Sequence, residues 1–129
     1  MTTTVADVMS KSLLTLDEQT TLTEAAAAMT ARHVGSALVL RDERLAGIIT
    51  ERDVLRAVAT GDVTSTVGTW MTPNPETVDA DESAQQAAVV MIHGGFRHLP
   101  VLVGGAPVGI VSIRDLMRVA IQDVSPRGV

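Results

Sequence analysis

The chain has 129 residues, 46% of them hydrophobic and 19% charged, which is one ordinary domain's length with enough apolar material to bury a core. Its net charge of −5 argues against the basic face that nucleic-acid binding needs, and no segment approaches the roughly 18 unbroken apolar residues of a membrane span. The absence of cysteine removes disulfides, thiolate metal sites and cysteine nucleophiles, and Trp70 and Phe96 are the only aromatic residues, so the core is built from Ala, Val, Leu, Ile and Met.

In chain order, Val5–Met9 predicts a short lead-in helix and Leu13–Leu16 a short strand. Thr21-Leu-Thr-Glu24 reads as a capping box opening an Ala-rich helix that stops near Arg32–Gly35. Strands follow over Ala37–Leu40 and Leu45–Ile49, joined by a turn at Arg41–Arg44, and the second runs into a helix over Glu51–Ala59. Residues 61–66 are a short polar linker between repeats assigned to 5–60 and 67–122.

The same series then recurs. A lead-in helix over Val67–Met71 precedes a strand at Glu76–Val78, a capping box at Ser83-Ala-Gln-Gln86 and an Ala-rich helix ending at Gly94-Gly95. Strands at Leu99–Val103 and Pro107–Val111 flank a Gly104-Gly105 turn, and a last helix covers Ile113–Gln122 before a frayed tail over 123–129. A constant shift of 62 residues superposes the halves without a gap. Val5 and Met9 fall on Val67 and Met71; Ala25, Ala26 and Met29 on Ala87, Ala88 and Met91; and Val39-Leu40 on Val101-Leu102. The strongest match sets Gly47-Ile-Ile-Thr-Glu-Arg-Asp53 against Gly109-Ile-Val-Ser-Ile-Arg-Asp115. The predicted fold is therefore mixed α/β (α+β), two pseudo-symmetric β-α-β-β-α repeats packed sheet to sheet as one module. A unit of about 60 residues has a marginal core alone, and the junction of two copies creates clefts suited to a ligand.

These two motifs, in their order, spacing and duplication, resemble the CBS domain family, two copies of which form a Bateman module. The resemblance runs from Val5 to about Gln122. It implies that the S/T-x-x-D motif at the start of each last helix holds the ribose of an adenosine ligand. The chemistry agrees: one carboxylate accepts two ribose hydroxyls together, and residues three apart share a face of the first helical turn. A lone S/T-x-x-D is simply a helix start, whereas two copies inside a full duplication point to ribose.

The resemblance further implies composite clefts. One gathers Thr50 and Asp53 with basic residues from the other repeat, Arg97, His98 and Arg114, beside Pro100 of the Leu-Pro-Val strand, and with Asn74, Pro75, Glu76 and Thr77 lining the base. The other holds Ser112 and Asp115, with Arg52 opposite and Leu13, Leu14 and Thr15 beside the base. The counterparts of Arg97 and His98 there are the uncharged Gly35 and Ser36. An adenine nucleotide (AMP, ADP or ATP) is thus expected at the Asp53 cleft, and a less anionic ligand such as S-adenosylmethionine, or none, at the Asp115 cleft. No obligatory cofactor or metal is expected.

His33 and His93 near helix C-termini, Trp70 and the four repeat-equivalent methionines are read as structural. Without a cysteine nucleophile, G-x-S-x-G, Walker loop or metal-spaced histidines, no catalysis is expected. The N-terminus has neither a basic start nor an apolar run, which points to the cytoplasm. The family also implies a homodimer through the faces at Thr23–Arg32 and Gln85–Gly94, and a separate regulated protein. Two functions stay open at this point: a regulatory sensor of an adenosine ligand, and an interaction module of the same fold that binds no nucleotide.

Overall fold

A computed structural model describes residues 3–123. The chain runs α1 (Val5–Val8), β1 (Thr15–Asp17), α2 (Leu22–Arg32), β2 (Ser36–Arg41), β3 (Arg44–Thr50), α3 (Glu51–Ala59), α4 (Val67–Trp70), β4 (Thr72–Pro73), β5 (Val78–Asp79), α5 (Ala84–Gly94), β6 (His98–Val103), β7 (Ala106–Ser112) and α6 (Ile113–Asp123). This is the mixed α/β repeat read from the sequence, with bounds displaced by one or two residues. Of the expected tail, Asp123 closes α6 and residues 124–129 lie outside the described residues.

Both Ala-rich helices begin at a hydroxyl. At α2, Thr21 Oγ1 accepts the Glu24 amide at 3.1 Å, and Glu24 Oε1 accepts the Thr21 amide at 3.0 Å, a complete capping box. At α5, Ser83 Oγ accepts the Gln86 amide at 3.0 Å, but the return bond from Gln86 is not among the described contacts. The second capping box is therefore half of what the sequence suggests. An uncharged amide oxygen attracts the cap N–H more weakly than a carboxylate does.

The compact units are offset from the sequence repeats. One unit is continuous, from Leu13 to Pro75; the other is split, joining residues up to Ser12 with Glu76 onward. In the continuous unit a sheet of order β1-β2-β3-β4 pairs β1 with β2 in parallel and the other neighbours antiparallel. Leu14, Leu22, Ala25, Met29, Ala37, Val39, Ile49, Ala57 and Val67 form its core. In the split unit the sheet is β5-β6-β7, and its core is Val5, Val78, Ala84, Ala87, Met91, Leu99, Val101, Val111 and Leu116. The cores match through the 62-residue shift with compensating volumes: Leu22 and Ala37 in one become Ala84 and Leu99 in the other. Volume-conserving exchanges of this kind are the ones cores tolerate best.

Each lead-in helix thus completes the unit built mainly by the other repeat. Val5 and Ala6 donate to the carbonyls of Glu82 and Ala80 at 2.8 and 2.9 Å, and Ala84 donates to Thr3 at 2.8 Å. Val67 and Gly68 do the same to Thr20 and Glu18 at 2.8 and 3.0 Å, while Leu22 donates to Ser65 at 3.0 Å. The residues after each lead-in then lie along a strand edge. Ser10 bridges Ile110 with bonds of 2.8 and 3.1 Å, and its counterpart Thr72 pairs with Ile48 as part of β4.

This close approach accounts for the two motif glycines. A Cβ on Gly47 would lie 2.7 Å from the Thr72 carbonyl oxygen, and one on Gly109 would lie 2.7 Å from that of Ser10. Met71 and Met9 press on the same two positions. The remaining punctuation is less symmetrical. The β6–β7 hairpin turns on Gly104 and Gly105, whereas β2–β3 turns on Asp42 and Glu43 at φ of 51° and 65°. Two consecutive positive φ values make the tight turn that suits the strand twist.

The stretch read as a linker is tied down in the continuous unit. Asp62 accepts the Trp70 indole N–H at 2.9 Å, and Trp70 packs against the core cluster as expected.

Candidate functional site

β3 ends at Thr50, whose extended backbone turns the chain into α3 and whose side chain caps that helix. The Asp53 carboxylate folds back over this turn. Its Oδ2 accepts the Thr50 amide at 2.9 Å and the Thr50 hydroxyl at 3.1 Å. Its Oδ1 accepts Arg56 Nη2 at 2.8 Å, and Asp53 and Ser36 are the two buried polar residues among those described. The split unit repeats the motif more loosely. Asp115 Oδ2 accepts the Ser112 amide at 2.9 Å, and Ser112 Oγ accepts the Asp115 amide at 3.1 Å. Arg118 approaches Asp115 Oδ1 only to 3.7 Å.

Both motifs therefore present a carboxylate at the first turn of an amphipathic helix, where free backbone N–H groups also favour negative charge. Such a group can accept hydroxyl donors in pairs. No cluster of three or more His, Cys, Asp or Glu residues able to hold a metal occurs among the described residues. No described helix is long and apolar enough to cross a membrane.

Of the first predicted set, Thr50, Asp53, Asn74 and Pro75 belong to the continuous unit, and Glu76, Thr77, Arg97, His98, Pro100 and Arg114 to the split one. Of the second set, Leu13, Leu14, Thr15, Gly35, Ser36 and Arg52 belong to the continuous unit, and Ser112 and Asp115 to the split one.

Within each unit the strand start meets the motif directly. Ser36 pairs in register with Thr50, and His98 with Ser112. The Gly35 carbonyl accepts the Glu51 amide at 3.0 Å, and the Arg97 carbonyl accepts the Ile113 amide at 2.9 Å. The charge at this junction inverts between the units. In the continuous unit the Glu51 carboxylate lies beside Gly35, close enough that a Cβ there would stand 3.3 Å from it. In the split unit the corresponding residues are Ile113 and the exposed Arg97. Arg52 and Arg114 are both exposed on their helices.

Of the positions expected to line the ligand, Leu14 sits in the hydrophobic cluster of the continuous unit, and Pro100 is fully buried in β6. Apolar side chains in lead-ins and strands go to the buried face first. Sequence reasoning also passed over Arg56, which donates to the Asp53 carboxylate, and Arg118, which stands 3.7 Å from that of Asp115. Their signal was available as Asp-x-x-Arg in each copy at the same 62-residue shift. An open depression of about 560 Å³ in the continuous unit, lined by Arg41, Arg44, Leu45, Met71, Pro73 and Asn74, shares only Asn74 with the predicted sets.

Comparison with known proteins places the chain. The family model described as "CBS domain" matches residues 5–60 and 67–122. A 17.7 kDa protein from Acidianus ambivalens is 38% identical over 126 residues, covering 96% of this chain and 76% of its own length. Other curated relatives are much longer than the match, which spans 43% and 20% of two of them. Among solved structures, the CBS domain pair of protein MJ0100, in complex with 5′-methylthioadenosine and S-adenosyl-L-methionine, superposes with a TM-score of 0.88 at 27% identity. It covers 95% of this chain and 99% of the other. CBSX2 in complex with AMP superposes with a TM-score of 0.77 at 26% identity, over 94% of this chain and 98% of the other.

Proposed function

Because the chain belongs to the CBS domain family, we propose that it is a regulatory module that binds an adenosine-containing ligand of the AMP, ADP or ATP class through its two S/T-x-x-D motifs. The observation that carries this reading is the duplicated carboxylate: Asp53 and Asp115 each stand at a helix start, with Oδ2 fixed by the cap residue's amide and Oδ1 directed to an arginine. Solved CBS pairs of the same fold hold AMP, 5′-methylthioadenosine and S-adenosylmethionine, all of which carry a ribose.

Thr50 and Asp53 would take the sugar of a nucleotide, with Pro75, Glu76 and Thr77 beside the base and Arg97, His98 and Arg114 toward the phosphate. Ser112 and Asp115 would take a less anionic ligand such as S-adenosylmethionine. Binding acts by favouring one arrangement of the module over another, passed on through a homodimer or a regulated protein. The exposed Val89 and Ile92 of α5 supply apolar surface for such a contact.

A thermal-shift series with AMP, ADP, ATP, NAD and S-adenosylmethionine tests the proposal. A ligand at one hundred times its Kd adds about 2.7 kcal/mol, and Asp53→Ala or Asp115→Ala removes the part due to its own site. If none of the five raises the midpoint, the adenosine reading fails. The interaction module without nucleotide would then be favoured, since both motifs already cap their helices in the absence of any ligand.

A further inference from the structure

The proposal that follows rests on the adenosine reading above and concerns how the two motifs differ. A ribose offers two neighbouring hydroxyls, and holding both requires accepting capacity on the motif carboxylate. At Asp53 three of the carboxylate's roughly four acceptor sites are already used. Oδ2 takes the Thr50 amide and hydroxyl at 2.9 and 3.1 Å, and Oδ1 takes Arg56 Nη2 at 2.8 Å. The Asp53 side chain is 9% exposed and that of Arg56 61%, so the arginine covers the carboxylate from the solvent side. At Asp115 the arrangement is open. Arg118 Nη1 stands 3.7 Å from Oδ1, beyond hydrogen-bond distance, and the carboxylate side chain is 18% exposed.

We infer that Arg56 is an affinity-setting positioning residue, a latch that competes with the ribose hydroxyls for Asp53 Oδ1, whereas Arg118 sets no such barrier at Asp115. A ligand holds both ribose hydroxyls at Asp53 only by exchanging the Arg56 bond for one of its own. At Asp115 it adds hydroxyl bonds to an oxygen that holds no strong donor. The latch belongs to one motif of the pair although both carry Asp-x-x-Arg, so it discriminates between sites that their sequences make look alike. Because Arg56 is largely solvated, its hold is modest. An exposed pair at this spacing accounts for roughly a two- to fivefold effect on an equilibrium.

The probe is adenosine, which carries no phosphate and so does not respond to the loss of a positive charge nearby. Equilibrium dialysis is run on the full chain in an Asp115→Ala background, so that only the Asp53 site reports. Arg56→Met keeps the side-chain stem and removes the donors, and is expected to lower the adenosine Kd two- to fivefold. Arg56→Gln, which retains a weaker donor, falls between. The Kd of 2′,3′-dideoxyadenosine does not change, because the contested hydroxyls are missing. In the Asp53→Ala background, Arg118→Met changes adenosine binding by less than about 1.5-fold.

Adenosine binding that is unchanged or weakened by Arg56→Met overturns the latch and leaves the proposed function standing. An equal gain for dideoxyadenosine also overturns it, since the arginine would then act through something other than the ribose. If adenosine binds neither parent nor variants, the latch fails, while the proposed function is decided separately by the thermal-shift series with the phosphorylated ligands.

Discussion

Replacing Gly47 by alanine tests how the lead-in segment is held against the motif strand. The added methyl would sit 2.7 Å from the Thr72 carbonyl oxygen and 2.9 Å from Met71 Cγ, against the 3.4 Å at which ordinary contact begins. The methionine side chain can swing away. The carbonyl belongs to β4, which is fixed by pairing of Gly47 with Pro73 and Ile48 with Thr72, and by the Asn74 amide on Ala46 at 3.0 Å. Overpacking costs about 1–3 kcal/mol, and each backbone bond lost as β4 lifts costs about 1 kcal/mol more. Against this stands a gain of about 0.4–1 kcal/mol from stiffening the unfolded chain. A net loss of about 1–3 kcal/mol is expected for Gly47→Ala. Urea unfolding followed by the fluorescence of Trp70, which lies in the same unit, reads the change directly. Gly109→Ala is expected to lose a similar amount, because its methyl would meet Ser10 from the far end of the sequence. Stability within 0.5 kcal/mol of the parent for both variants would refute the argument that lead-in packing is what excludes a side chain at these positions.

Two further outcomes are expected. Glu43→Gly should raise stability by about 1 kcal/mol, since Glu43 holds a φ of 65° where its counterpart is Gly105, and a left-handed residue with a Cβ carries a penalty of about 1–2 kcal/mol; a lower thermal midpoint would contradict this. The thermal midpoint should be level from about pH 7 to about pH 5 and fall below about pH 4.5. The Trp70 indole and Ser65 hold Asp62 below its ordinary 3.8, the Thr21 amide and hydroxyl hold Glu24 below 4.5, and Arg41 does the same for Glu18. Each folded-state value lies below the unfolded one, so the contribution is present above the unfolded pKa and is lost as pH falls through the folded one. Asp62→Asn should flatten part of that fall, and a midpoint held to about pH 3 in the parent would show that these contacts add nothing.

Most of the fold was legible because each feature is stated twice. Caps, Ala-rich faces and Gly-Ile-Ile/Val strands coincide under one shift, and local signals that agree in two copies resist accident. The exchange of lead-in helices was not legible. Val5 and Val67 are equally apolar, and nothing near either residue says which core receives it; that is decided by tertiary packing. The two-residue β4 was too short to announce itself, and a proline at its end reads as a strand breaker. At the candidate site the motif aspartates were singled out by the resemblance and by their duplication, and their spacing from the cap residue puts both on the first turn of a helix. Leu14 and Pro100 were assigned to the ligand by analogy, and their apolar side chains are buried within their own units. Arg56 was overlooked because an arginine three residues from an aspartate looks like ordinary helix decoration, and only the difference between 2.8 and 3.7 Å separates the two copies.

The exchange of lead-ins has a consequence for synthesis. The continuous unit closes on itself once Pro75 has left the ribosome. The split unit waits until Leu116 and the rest of its core arrive, and through that interval residues 3–12 lack the partners they later pair with. Domains form in order as they emerge, so the residues from Glu76 onward complete a unit whose lead-in was made well before them. A nascent chain stalled at the point where Pro75 has just cleared the exit tunnel should therefore protect Trp70 from solvent while leaving Val5 exposed.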